Sequence, residues 1–137
     1  MKLEGGCFCG AVRYEAEGDA VFKGQCHCRQ CQYFAGGGPN IFLAMPASGF
    51  KYTKGKPSAH SRADAPVFQA SREFCPTCGV QLTTKAVPLP DVVFIKVGTL
   101  DKPVDFGGPE MAIFTCDKPP FHMIPEGIPT FDKMPPM

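Results

Sequence analysis

The sequence is short of net charge, of long apolar runs and of stretches that could sustain a long helix. Its 137 residues carry 14 basic and 13 acidic side chains, for a formal charge of +1. That balance leaves no electrostatic footprint for nucleic acid or for an anionic membrane. No apolar run approaches the roughly 20 residues that span a bilayer. Residues 1–10 contain no secretory apolar region, so the expected compartment is the cytoplasm, where thiols stay reduced. Glycine and proline, 15 of each, are spread along the chain and punctuate it into pieces too short for long helices. No internal repeat is convincing. With 44 % apolar and 20 % charged residues, the composition is that of a globular protein, and the length suits a single domain over residues 1–137.

Against this background the cysteines stand out. Seven of the eight fall in three short clusters: Cys7-Phe8-Cys9, Cys26-His27-Cys28-Arg29-Gln30-Cys31, and Cys75-Pro76-Thr77-Cys78 followed by Gly79. The spacings C-x-C, C-x-C-x-x-C and C-x-x-C-G let several sulfurs converge on one centre, as a tetrahedral zinc ion requires. Ligand counting allows one site of four thiolates and one of three. The middle cluster can present three sulfurs by itself, which leaves Cys7 and Cys9 to combine with the distant Cys75 and Cys78. A closed site of four thiolates is structural, whereas three ligands leave a position for substrate or water. A single four-thiolate site with spare thiols satisfies the same count. Disulfides are the plainer alternative, but a C-x-C bridge is strained and C-x-x-C bridges are usually redox-active. A thioredoxin-type role for Cys75 and Cys78 would need a βαβ context, and residues 79–84 read as a turn and a strand.

The rest of the chain reads as short strands. Val12, Tyr14 and Ala16 alternate with Arg13 and Glu15, which predicts a half-buried strand over 11–16. A second strand, 20–25, returns the chain to the cysteines. A short helical turn is expected over 29–34, ended by Gly36-Gly37-Gly38-Pro39. That glycine run is either a plain connector or a place where backbone N–H groups approach a ligand. Further strands are expected at 40–45, 50–53, 67–74 and 82–86, with 58–66 irregular. Residues 92–97, rich in β-branched side chains, should form a central strand. A last apolar strand is expected at 111–116, carrying Cys116 as a buried small hydrophobe. The proline-rich remainder should wrap the surface in extended form. Phe8, Phe42, Phe68, Phe94 and Phe114 are expected in the core. Arg29, Arg62 and Arg72 are expected as solvated charges, and His60 and His122 at the surface. His27, between two ligands, is expected to point away from the metal, with a supporting hydrogen-bond donor or a proton carrier as the other reading. The whole reads as a small all-β protein of packed sheets, with metal knuckles joining strand ends.

These motifs resemble those of the glutathione-dependent formaldehyde-activating enzyme, or Gfa-like, family. The resemblance is carried by Gly5-Gly6-Cys7-Phe8-Cys9-Gly10-Ala11-Val12-Arg13-Tyr14, by Cys26 to Cys31, by Arg72-Glu73-Phe74-Cys75-Pro76-Thr77-Cys78-Gly79, and by Val97-Gly98-Thr99-Leu100-Asp101. It implies stacked antiparallel β-sheets of the β-tent type with little helix, and two zinc sites. Cys7, Cys9, Cys75 and Cys78 match the structural site. Cys26, Cys28 and Cys31 match the catalytic site, whose occupancy the motif leaves open. The implied activity is carbon–sulfur lyase chemistry, the condensation of glutathione with formaldehyde to S-hydroxymethylglutathione. The carboxyl-terminal part departs from the family pattern. Pro109-Glu110-Met111-Ala112 lacks the histidine that members often carry, and Phe121 stands where a tryptophan is usual. The pattern returns in Gly127-Ile128-Pro129-Thr130-Phe131.

Three thiolates around a divalent ion leave a net charge of about −1 if all are deprotonated, a poor arrangement for acidifying water. A further sulfur is the natural fourth ligand. The expected chemistry is therefore capture of a small-molecule thiol beside Cys26, Cys28 and Cys31, followed by its attack on a small aldehyde. The rival reading is a non-catalytic zinc module that binds a protein partner.

Overall fold

Why the strands bury the faces they do follows from two central strands that are covered on both sides. The computed structural model of the protein describes residues 1–136. Its strands are β1 (Lys2–Gly6), β2 (Arg13–Glu17), β3 (Phe22–Cys26), β4 (Asn40–Pro46), β5 (Phe50–Lys54), β6 (Ser58–His60), β7 (Ala70–Phe74), β8 (Gln81–Ala86), β9 (Val92–Lys96) and β10 (Met111–Ile113). One α-helix, α1 (Arg29–Phe34), follows β3, and four short 3₁₀ turns complete the regular structure among the described residues. The strands form a three-stranded sheet, β1-β2-β5, and a seven-stranded sheet, β10-β3-β4-β9-β8-β7-β6. The expected all-β architecture is present, and β9, the β-branched run, lies fourth of seven.

In β4, Leu43 and Met45 face one way, and Phe42 and Ala44 the other, yet all four are buried. In β9, Val93 and Ile95 are buried on one face and Phe94 is half-buried on the other. Strands with both faces covered read as continuous apolar runs, which is why neither segment shows the polar alternation seen in β2. Leu43 and Met45 of β4 and Val93 and Ile95 of β9 join Leu3, Tyr14, Ala16 and Leu82 in a core between the two sheets. Phe42, with Cys26, Cys28, Cys31 and Ile113, forms a second cluster on the opposite face, flanked by Phe22, Phe94 and Phe114. Polar ties lock the sheets together. The Tyr14 hydroxyl meets Thr99 Oγ1 at 2.7 Å, and Thr99 in turn donates to the Lys96 carbonyl. The Tyr52 hydroxyl donates to Glu73 at 3.0 Å, and the exposed pair Arg13–Asp101 closes the rim.

Three local readings are corrected. The segment expected to be irregular over 58–66 begins with β6, a three-residue edge strand that pairs with β7. The last strand ends at Ile113, because Phe114 takes a left-handed conformation with φ of 54°. The chain then turns, and Cys116 is exposed rather than buried. β10 pairs with β3 in parallel, against the antiparallel rule of the other strand pairs. The carboxyl-terminal segment is broken by turns at 120–121 and 126–127 and is stitched down: the Ala112 N–H donates to the Pro129 carbonyl, and the Phe131 N–H to the Ala112 carbonyl.

Candidate metal centres

Two knuckles and two strand ends bring seven cysteines into two clusters. At the first knuckle the Cys7 N–H donates to the Val12 carbonyl at 3.1 Å, and at the second the Cys75 N–H donates to the Val80 carbonyl at 3.0 Å. Each turn is closed by a glycine at positive φ, Gly10 at 82° and Gly79 at 78°, a conformation that a Cβ disfavours. Backbone N–H groups point at the sulfurs: Val12 to Cys7 Sγ at 3.3 Å, Thr77 to Cys75 Sγ at 3.3 Å, and Cys78 to Cys75 Sγ at 3.4 Å. The sulfur of Cys9 lies 3.6 Å from that of Cys7 and 3.7 Å from that of Cys75. Four sulfurs at about 2.3 Å from a tetrahedral zinc ion would be about 3.8 Å apart. All four sulfurs of the quartet, and all three of Cys26, Cys28 and Cys31, lie within 4.8 Å of one another. Both sets could therefore hold a metal ion.

The trio is built differently. Cys26 ends β3, and Cys28 is the N-cap of α1, its sulfur accepting the Cys31 N–H at 3.2 Å. Cys31 follows on the first turn of the helix. All three are buried. The Asn40 amide donates to Cys31 Sγ at 3.8 Å, and the Asn40 oxygen accepts from Lys96 Nζ at 2.8 Å. Burial pulls the Lys96 ammonium down to about 8, against the attraction of Cys31. Hydrogen bonds from Cys26 and Cys28 hold the Cys31 thiol well below its ordinary value, with Lys96 and Arg72 helping, while Cys28 and Cys31 push Cys26 up. Binding of a divalent ion there would displace the thiol protons. In the quartet, burial works to raise Cys7, but the Val12 N–H and the neighbouring thiols bring it down to about 6.

Beside the trio lies a cavity of about 300 Å³. Cys26, Cys31 and Asn40 form one part of its wall, and Phe42, Phe94 and Ile113 another. Phe68 and Phe114, expected in the core, are half-buried parts of this wall, and Phe8 is 92 % exposed at the tip of the first knuckle. The knuckle turns both sulfurs toward the quartet, with Cys7 buried and Cys9 exposed, and leaves the residue between them facing out.

Sequence reasoning missed two buried residues near the trio. Arg72 is 4 % exposed, its guanidinium 4.1 Å from the centre of the Phe34 ring. Arg29 and Arg62 are exposed, as expected. His122 is 3 % exposed and bonded to His27, Nδ1 to Nδ1, at 2.9 Å. His122 Nε2 lies 2.7 Å from the Gly37 carbonyl and must donate to it. Its Nδ1 is then the acceptor, His27 Nδ1–H the donor, and His27 Nε2 accepts from Gln25 Nε2 at 3.0 Å. The chain of bonds uses each of the four ring nitrogens once. Burial, then His122 and Lys118, push His27 down to about 4. The ring nitrogens of His27 are thus taken up by Gln25 and His122, and the glycine run, through the Gly37 carbonyl, anchors His122. Replacing His122 with leucine should strand the His27 donor and lower stability by about 1–3 kcal/mol, read as a lower urea midpoint at unchanged slope. Glutamine at 122, which can accept, should recover part of the loss.

Residues 2–117 match the family profile described as glutathione-dependent formaldehyde-activating enzyme. The fold is similar to the crystal structure of a Rhodobacter sphaeroides protein from a structural-genomics programme, at 23 % identity and a TM-score of 0.62, over 78 % of this chain and 97 % of that one.

Proposed function

This chain belongs to the glutathione-dependent formaldehyde-activating enzyme family, and from that premise we propose that it condenses a small-molecule thiol with a small aldehyde. Cys26, Cys28 and Cys31 would hold a catalytic zinc ion, and Cys7, Cys9, Cys75 and Cys78 a structural one. One observation carries the reading: Cys26 and Cys31 face an apolar cavity, whereas Cys7 and Cys75 are packed into the core between the sheets. Among the described residues no helix is long and apolar enough to cross a membrane.

A zinc ion on the trio would supply a positive centre with a position to spare, beside which a thiol gives up its proton more readily. The rest falls to the chain. Asn40, its oxygen fixed by Lys96, keeps its amide N–H beside the trio and in the cavity wall. There it can donate to a carbonyl oxygen as negative charge gathers on it. The apolar wall keeps water from the reacting carbon. In the step itself a sulfur–carbon bond forms, the carbonyl π pair moves to oxygen, and the proton lost by the thiol ends on that oxygen. Atoms and charge balance, and no oxidant or reductant is needed.

The test is exchange NMR of glutathione with formaldehyde, in the presence of the zinc-loaded protein. Adduct formation and breakdown should be at least about tenfold faster than in buffer, which corresponds to about 1.4 kcal/mol of barrier. Equal rates with glutathione and with simpler thiols, in a protein holding one zinc per chain, would instead support a non-catalytic metal module.

A further inference from the structure

We propose that the cavity beside the trio takes a substrate with an apolar body and one carboxylate, and that Arg72 is the residue that binds the carboxylate. The inference rests on the reading above for the reacting group, but the anion site stands on its own geometry.

Arg72 sits on β7 in a row that crosses the sheet. The register pairs Arg72 with Thr84, and Thr84 with Phe94. All three lie on the cavity face, and all three line the cavity. Arg72 Nη1 donates to Thr84 Oγ1 at 3.3 Å. Its Nη2 is buried with no hydrogen-bond partner among the described residues. Among the described residues no carboxylate comes within ion-pair distance of it. Glu73, its neighbour in sequence, faces the other side of the sheet and bonds Tyr52, Thr83 and Lys85.

A guanidinium cannot shed its proton to escape burial. The rings of Phe34 and Phe68, at 4.1 and 5.8 Å, offset part of the cost. The guanidinium charge has no carboxylate partner among the described residues, and an unused N–H sits on a residue that lines the cavity. A single carboxylate satisfies both, through the planar fork for which arginine is suited.

The remaining wall limits the rest of the ligand. Phe42, Val67, Leu89, Phe94 and Ile113 offer no polar partner, and the cavity of about 300 Å³ is much larger than a one-carbon aldehyde needs. A second cavity on the far side of Arg72 also touches Arg29 and Arg62. Those two are exposed and already engaged, Arg29 with Gln32 and Arg62 with Asp64, so they do not demand an anion.

The probes are 4-methylbenzoate, its uncharged amide, and 4-(mercaptomethyl)benzoate, titrated into the zinc-loaded protein and followed by NMR of the Ile113 and His60 signals. The wild-type protein should bind 4-methylbenzoate about 10- to 100-fold more tightly than the amide, with shifts at Ile113. Arg72→Gln should remove the difference, and Arg72→Lys should restore it only in part, because lysine keeps the charge and loses the fork. Equal affinity of acid and amide for the wild-type protein would overturn the proposal, whether or not the variants fold. So would shifts confined to His60, which lines the other cavity. If 4-methylbenzoate binds as stated but the thiol acid gains nothing over it, the anion site stands and the thiol reading falls. If thiols bind without regard to the carboxylate, the reverse holds.

Discussion

Replacing Cys75 with serine should unfold the protein. Cys75 is fully buried in the core between the sheets. Its sulfur takes two backbone N–H bonds and faces Cys9 from a position 66 residues away in sequence. Through the quartet, a metal ion would tie the hairpin that starts the three-stranded sheet to the turn between β7 and β8. Structural zinc contributes an apparent 10–16 kcal/mol in zinc-finger peptides, roughly the whole stability of a typical domain at about 5–15 kcal/mol. Losing one of four ligands need forfeit only part of that to leave no folded state. Circular dichroism with urea titration, in zinc-containing buffer, should show no cooperative transition. A chelator strong enough to strip the wild-type protein should give the same result. Cys116→Ser, at an exposed position outside both clusters, should melt like the wild type. A Cys75→Ser protein with the wild-type midpoint would mean that the quartet is not structural.

Replacing Cys28 with serine should have the opposite profile: a folded protein without thiol-dependent turnover. Cys28 caps α1 by accepting the Cys31 N–H. Serine is among the best residues for that task, so the helix keeps its start. What is lost is one of three thiolates, and with it the strong zinc affinity of the trio. Bound zinc should fall from two ions to one per chain, and the rate enhancement on glutathione and formaldehyde should fall to the buffer rate. Unchanged turnover would exclude the trio as the site of chemistry. Taken as a pair, the two substitutions assign separate duties to the two clusters, since one should abolish folding and the other only reaction.

Much of this arrangement was legible in the residues. The three cysteine spacings placed all seven ligand candidates, and the structure gathers them into the four and three that ligand counting allowed. The alternation in β2 gave its buried face, and the span of α1 agrees at both ends. The failures have physical causes. Cys116 follows a run of apolar residues that reads as strand, but the left-handed turn at Phe114 leaves no mark in an apolar sequence. His122 lies in a segment without periodicity, and its partner is 95 residues away. Arg72 is different, because a signal was present. Phe68, Ala70, Arg72 and Phe74 share one parity in an alternating segment, so the arginine occupies an inward register. Average exposure of arginine outweighed that local evidence.

The two clusters also differ in how much of the chain must exist before they can form. The trio spans six consecutive residues at one strand end, whereas the quartet needs Cys75 and Cys78, beyond the midpoint of the chain. On a ribosome, a polypeptide emerging amino end first would expose the trio long before the quartet could assemble. Closing the longer loop also carries the larger entropic cost. Metal would therefore load first where reaction is proposed and last where folding is secured, and Cys7 and Cys9 would wait as unprotected thiols through the first half of synthesis. Expression under zinc limitation should accordingly yield misfolded chains already carrying one ion.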